Sequence, residues 1–320
     1  MTVKSEYEYP KKIIIGTRGS PLALAQTHMV RDLVLGVSPD IDIEVKVIVT
    51  SGDWRPEDGE VRLDPLAGGK AQFAKELEEA LLAGAIDMAV HSMKDMETVL
   101  PKGLIIPCML PREDVRDAFL SDSSRNINDL PMGCVVGTVS VRRAAFLLHK
   151  RPDIKVVPLR GNVQTRIDKV RSGQVDATFL ACAGLNRLGL AHEVASIIEV
   201  DDMLPAVGQG AIGIEMRLID EQVISFIDQF KCLETYRCVE CERGVLRSLG
   251  GSCHTSVGVL ATLDDTQMRL RVQVVAPDGS DMWAVDESRE IVSDRAAIDF
   301  GEQVGSNLKT RVPNEVLARK

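Results

Sequence analysis

The chain has 320 residues, 45% of them hydrophobic, and a formal net charge of −9. That length suits two or three domains, and that hydrophobic share builds real cores without difficulty. The acidic balance argues against a protein coated in nucleic acid or lying on an anionic membrane, and no apolar run approaches the roughly 18 residues of a membrane span. The opening stretch, MTVKSEYEYPKK, is charged, lacks an apolar core and carries no arginine, so it reads as neither a secretory signal nor a transit peptide. Seven cysteines, an odd number thinly spread, fit free thiols in a reducing cytosol, and a cytoplasmic protein is expected.

In chain order, short apolar runs alternate with helical patterns. IIIG (13–16) precedes a helix from Pro21 to about Leu35, and IEVKVIVT (43–50) follows. FAKELEEALLAG (73–84) reads as a helix leading into IDMAVHS (86–92). After Pro111 come CVVGT, a helix opened by VRR, IKVVPL (154–159), a helix near 162–171, and ATFLAC (177–182). Such alternation predicts α/β layers with largely parallel sheets. Beyond about Gln222 the order changes to two helical segments, then SVGVLATL, MRLRVQVVAP and WAVDESREIV, then a last helix near 294–309. This predicts a C-terminal α+β domain with a mainly antiparallel sheet.

A weak recurrence carries the first functional signal. GTRGSPLALAQ (16–26), GTVSVRRAAF (137–146) and LRGNVQTRIDKV (159–170) each place a capping residue before a helix, namely Ser20, Ser140 and Asn162. Arginines stand beside each cap: Arg18, then Arg142 and Arg143, then Arg160 and Arg166. A cation in a first helical turn is disfavoured by roughly 0.3–1 kcal/mol against the helix dipole. Between Cys134 and Leu190 there are ten Lys or Arg against three Asp or Glu, a basic island in an acidic chain. Helix N–H groups and guanidinium forks both bind carboxylate or phosphate, which points to a ligand with several negative groups in a cleft between two similar lobes. The plainer alternative is arginine paired with nearby acids.

GGKAQF (68–73) offers a Gly-rich turn with Lys70 but lacks the spacing of a phosphate loop. AVHSMKDMETVLP (89–101) puts His91, Ser92, Lys94 and Asp95 where an apolar strand runs out, a place that borders ligand crevices in α/β sheets. Asp95 reads either as a surface turn or as a carboxylate facing an N–H-bearing substrate. Cys238 and Cys241 have ligand-like spacing for zinc, yet they fall in a continuous amphipathic helix and read better as core residues. Cys253 differs, sitting in the Gly-rich loop LGGSCHTSVG, where a thiol is available as a nucleophile or attachment point.

These residues together resemble the porphobilinogen deaminase (hydroxymethylbilane synthase) family. The likeness rests on TRGSPLALAQ, GGKAQFAKELEEALL, DMAVHSMKD, REDVRDAF, VGTVSVRRAA, LRGNVQTRIDK, LACAGLNRLGL, LPAVGQGAIGIE and GGSCHTSVG, spread over nearly the whole chain. It implies an α/β fold of two periplasmic-binding-protein-like (type II) lobes with an interdomain cleft, plus a C-terminal α+β domain. The implied division is 1–110 with 209–228, then 111–208, then 229–320. It also implies a transferase that joins four porphobilinogen molecules head to tail into a linear tetrapyrrole, releasing ammonia. A dipyrromethane cofactor would be tethered through a thioether to Cys253, and Asp95 would be the catalytic carboxylate. Arg18, Ser20, Lys94, Ser140, Arg142, Arg143, Arg160, Arg166 and Arg187 match positions that grip the acetate and propionate groups, with Lys70, Ser92, Thr138 and Gly161 beside them. No metal, nucleic acid or membrane partner is implied, and a monomer is expected. The chain departs from the family pattern at Ala71, Val139 and Ser256, and it lacks a second lysine ahead of Lys70. A solute-binding module on the same two-lobed fold is the rival reading, though a binder would have no need of Cys253.

Overall fold

The computed structural model describes residues 10–51, 74–250 and 255–317; Lys70 and Cys253 lie outside the described residues. The first sheet is built on β1 (Lys12–Thr17), which pairs in parallel with β2 (Asp42–Val47) and β3 (Met88–Ser92). β1 reads KIIIGT because it is covered on both faces, and a strand of that kind is a continuous β-branched run. Helix α1 (Pro21–Val37) and α6 (Glu221–Asp228) share one core cluster with Ile13, Ile15, Val90 and Ile214. On the opposite face α2 (Lys75–Leu82) sets Leu77 and Leu81 against Ile86, Ala89 and Leu104. The sheet is completed by β4 (Leu104–Met109) and β10 (Ile212–Arg217), in the order β2-β1-β3-β10-β4.

The second sheet repeats this plan. It is formed by β5 (Asp117–Leu120), β6 (Val135–Gly137), β7 (Lys155–Val157), β8 (Ala177–Ala181) and β9 (Ser196–Ile198), in the order β7-β6-β8-β5-β9. Helices α3 (Val141–Lys150), α4 (Val163–Arg171) and α5 (Cys182–Arg187) cover it. The architecture is therefore α/β with two lobes of the type II periplasmic-binding-protein-like plan. The sheets are largely parallel, as expected, with one reversed strand in each: β10 runs antiparallel to β3 and β4, and β5 antiparallel to β8 and β9. The physical reason is chain crossing. Each antiparallel strand is the first one laid down after the chain passes from the other lobe. The direction of entry, rather than local sequence, sets its sense.

The crossings, 110–116 and 199–211, are bonded to each other. Glu113 N donates to Gly210 O at 3.2 Å, and Arg112 Nε donates to Gln209 O at 2.9 Å. Gln209 Nε2 in turn donates to Val115 O at 2.7 Å and to Asp117 Oδ1 at 3.0 Å. Gly210 has φ +89°, and a Cβ there would sit 2.4 Å from Glu113 O, so only glycine lets the strands meet.

The third unit pairs α7 (Leu233–Leu249) and α8 (Asp294–Lys309) over an antiparallel sheet of β11 (Val257–Asp264), β12 (Gln267–Val275) and β13 (Met282–Glu290), with α9 (Asn314–Leu317) at the end. A Cβ at Gly301 would lie 1.9 Å from Cys241 O, which is how closely the two helices approach. Cys238 and Cys241 belong to this core, where burial pushes the Cys238 thiol up to about 12 and raises the Cys241 thiol as well. Glu242, fully buried on α7, fixes the unit to the crossings. Its carboxylate accepts from both Arg112 terminal nitrogens (2.7 and 3.0 Å), from Gly208 N (2.8 Å) and from Ala261 N (2.9 Å). A buried charge is tolerated when it is this fully paired and bonded. No described helix is long and apolar enough to cross a membrane.

Candidate active site

The loops after β1, β3, β6, β7 and β8 leave the carboxyl edges of the parallel strands, where α/β sheets place their crevices. The two edges face each other, since Gly184 in α5 lies against Leu22 in the first turn of α1, with 3.5 Å from a Cβ position to Leu22 Cδ2.

On the first lobe, Ser20 caps α1 by accepting from Ala23 N at 3.3 Å, with Pro21 at the first helical position. One turn further on, Gln26 Nε2 donates to Ser92 Oγ at 2.9 Å and ties α1 to the end of β3. A single 3-10 turn, Met93–Asp95, follows Ser92 and is anchored by Met93 N donating to Ala211 O. Arg18, Ser20, Gln26, His91, Ser92 and Asp95 consequently line one pocket. Lys94, half-buried in the same turn, does not line it.

The second lobe treats its arginines differently. Ser140 caps α3 by accepting from Arg143 N at 3.4 Å, and Thr138 Oγ1 accepts from Ser140 N at 3.1 Å. Arg142 and Arg143 were expected to face an anionic ligand; this is corrected, since both are buried and both face Asp117. Arg142 Nη2 and Arg143 Nη2 each reach an Asp117 oxygen at 2.6 Å. Arg142 Nη1 also donates to Leu204 O, and Arg143 Nη1 to Phe179 O. Burial pushes the Asp117 carboxyl up, but the two guanidiniums outweigh it and hold the carboxyl well below the usual carboxylate range. The physical reason is burial: residues 142–147, more than a full turn, are all buried, so the start of α3 is covered on every side. Arg142 Nε remains buried with no hydrogen-bond partner among the described residues.

Asn162 caps α4 by accepting from Thr165 N at 2.9 Å. Arg166 Nε folds back to Gly161 O at 2.8 Å, and Lys169 Nζ bonds Arg160 O at 2.9 Å. Gly161 has φ +114° and a Cβ there would strike Thr165. Arg187, at the end of α5, donates from Nη2 to Gly210 O at 2.7 Å, while its Nε is buried with no partner among the described residues. Burial pulls its guanidinium below the ordinary value, with Glu113 opposing. Thus the pocket gathers Arg18, Ser20, Ser92 and Asp95. Thr138, Ser140, Arg160, Gly161, Arg166 and Arg187 stand on the facing lobe.

Sequence reasoning missed three buried acids that organise this region: Asp117, Glu215 and Glu242. A lone acid inside an apolar run, as in AIGIEM or RDAFL, was the signal available.

Two lobes of α/β plan, with a pocket on the first that holds Asp95, Arg18 and a capped helix start, define the class as a two-lobed protein with a polar pocket at its strand ends. Comparison with known proteins makes this specific. Residues 13–225 match the family model described as porphobilinogen deaminase, dipyromethane cofactor binding domain, and residues 236–310 match its C-terminal domain. The chain belongs to the porphobilinogen deaminase family. It is 49% identical to porphobilinogen deaminase of Nitrobacter winogradskyi over 84% of both chains. It is 46% identical to the Paracoccus denitrificans enzyme, over 94% of this chain and 95% of that one. To the chloroplastic enzyme of Oryza sativa it is 43% identical, over 97% and 87%. Among solved structures it is similar to the methionine binding protein MetQ, at 15% identity and TM-score 0.44, over 71% of this chain and 93% of that one.

Proposed function

We propose that this chain performs its family's reaction, the stepwise head-to-tail condensation of four porphobilinogen molecules into a linear tetrapyrrole with release of ammonia, in tetrapyrrole biosynthesis. The observation that carries the residue assignment is the convergence of Arg18, Ser20, Ser92 and Asp95 from two strand ends onto one pocket. The donor set fits a dipyrromethane. Guanidinium and hydroxyl groups suit its carboxylates, and a carboxylate acceptor suits its pyrrole N–H groups. When bound, that group supplies the pyrrole carbon to which the first substrate is joined.

Asp95 is the catalytic carboxylate. It accepts hydrogen bonds from ring N–H groups and stabilises positive charge as ammonia leaves, an effect that grows as the closing cleft lowers the local dielectric. Arg18 and Ser20 hold substrate carboxylates. Across the cleft Ser140, Arg160, Arg166 and Arg187 hold those of the growing chain, with Thr138, Gly161, Lys94 and Lys70 shaping their surroundings. Arg142 and Arg143 brace this wall through Asp117. Cys253, which falls between α7 and β11 in the sequence, carries the cofactor. We assign 1–110 with 209–228 to the first lobe, 111–208 to the second and 229–320 to the C-terminal domain. Six described cysteines are free thiols, which supports a reducing compartment; we place the protein in the cytoplasm, acting as a monomer.

Intact-mass measurement of purified protein tests the tether. The mass is expected to exceed that of the polypeptide by one dipyrrole, and the excess to vanish in Cys253→Ala. An active preparation with the plain polypeptide mass would overturn the assignment.

A further inference from the structure

Next to the Asp95 pocket, β3 and β10 bury a histidine against a glutamate that the proposed chemistry leaves unused. His91 Nε2 lies 3.0 Å from Glu215 Oε2, a contact that requires one proton held between them. His91 is only 6% exposed and Glu215 not at all. The second carboxylate oxygen, Oε1, is buried with no partner among the described residues. A half-satisfied buried carboxylate costs stability, and an apolar residue would serve the strand better if packing were its only task. The pair also sits where it can matter. His91 lines the pocket with Asp95, and directly opposite it in the ladder is Gly213, whose side-chain space is taken by Met93 of the Asp95 turn. A Cβ at Gly213 would lie 2.2 Å from Met93 Sδ.

We propose that His91 is a positioning residue of the catalytic pocket, whose proton, shared with Glu215, holds the end of β3 and the turn bearing Asp95 in register for turnover. This rests on the reading of Asp95 given above. The pair is faced by Glu78 of α2, by Glu97 beyond the turn, by Arg243 of α7, and on the pocket side by Arg18 and Asp95. Glu79 adds its charge behind Glu78, and Arg243 Nη2 is fixed on Glu97 O at 2.8 Å. Burial, and then the charge of Glu215, push the Glu78 carboxyl up to about 7, a sign that negative charge is crowded and desolvated at this corner of the lobe. Removing either glutamate's charge weakens the hold on the shared proton. Glu215→Gln, which removes the direct partner, acts more strongly than Glu78→Gln.

The test combines kcat and KM for wild type, His91→Gln, Glu215→Gln and Glu78→Gln with NMR of the nitrogen-labelled His91 ring. The expected result is a ring N–H signal protected from exchange in wild type and weakened in Glu215→Gln. With it, kcat falls about tenfold or more in His91→Gln and Glu215→Gln and by less in Glu78→Gln, while KM stays within about twofold. If the ring signal changes and kcat stays put, or if neither changes, the proposal is overturned. Should Glu215→Gln fail to fold, Glu78→Gln at its half-buried position decides by the same criterion. Failure of the Asp95 reading is separate, since it would show as near-normal turnover in Asp95→Asn and leave the ring signal where it is.

Discussion

The first turns of α1 and α3 begin from nearly the same words, GTRGS and GTVS, and end in opposite uses. At α1 the arginine precedes the cap, lies off the helix, and reaches a pocket with Asp95. At α3 the arginines follow the cap at the second and third helical positions. There the helix is buried on every side, and both arginines meet Asp117. Which side of the cap the cation occupies decides whether it lines the pocket or braces the frame. The two aspartates divide accordingly, one in an open cleft and one sealed.

The sharpest way to break this contrast is to remove each acid's charge. Asp117→Asn leaves two buried guanidiniums under-compensated and is expected to cost about 3–5 kcal/mol, read from urea midpoints. Because the native carboxyl sits below its ordinary value, its contribution is complete above about pH 3.9 and fades as pH falls below that. Wild type and variant are therefore expected to converge in acid. An undiminished urea midpoint for Asp117→Asn at neutral pH would merge the two aspartates into one class.

Asp95→Asn should show the reverse pattern, with turnover reduced roughly 100- to 1,000-fold and the melting temperature nearly unchanged. Arg18→Gln removes one charge-assisted hydrogen bond, worth roughly 1.5–3 kcal/mol, and is expected to raise KM about tenfold or more with stability kept. The smallest effects belong to the caps. Ser20→Ala and Ser140→Ala should each cost ~1 kcal/mol in thermal or chemical unfolding, and each should also raise KM.

Much of this was readable in advance. The caps at Ser20, Ser140 and Asn162 follow from local chemistry, as does the strand-helix alternation, and all three accept the hydrogen bonds a cap requires. The strands β4, β5, β9 and β10 escaped notice. β5 and β9 are four and three residues long, and β10 carries Glu215 in its middle, which spoils the apolar pattern. Their sense depends on where the chain has come from, which no window of residues records. The inward turn of Arg142 and Arg143 was hidden for a related reason: its cause, Asp117, lies 25 residues away, and a partner so distant leaves no periodic trace.

The exchange of strands between lobes has a consequence for synthesis. β3 and β4 never pair directly, because β10 is threaded between them. A growing chain emerging from the ribosome therefore completes the second lobe's sheet, all of it within 117–198, while the first lobe still gapes. About a hundred further residues separate β4 from the strand that fills the gap, a wait of roughly 5–20 s at translation rates of ~5–20 residues per second. Throughout that interval the nascent protein displays two naked strand edges flanking an empty slot, the span in which a chaperone has most to protect.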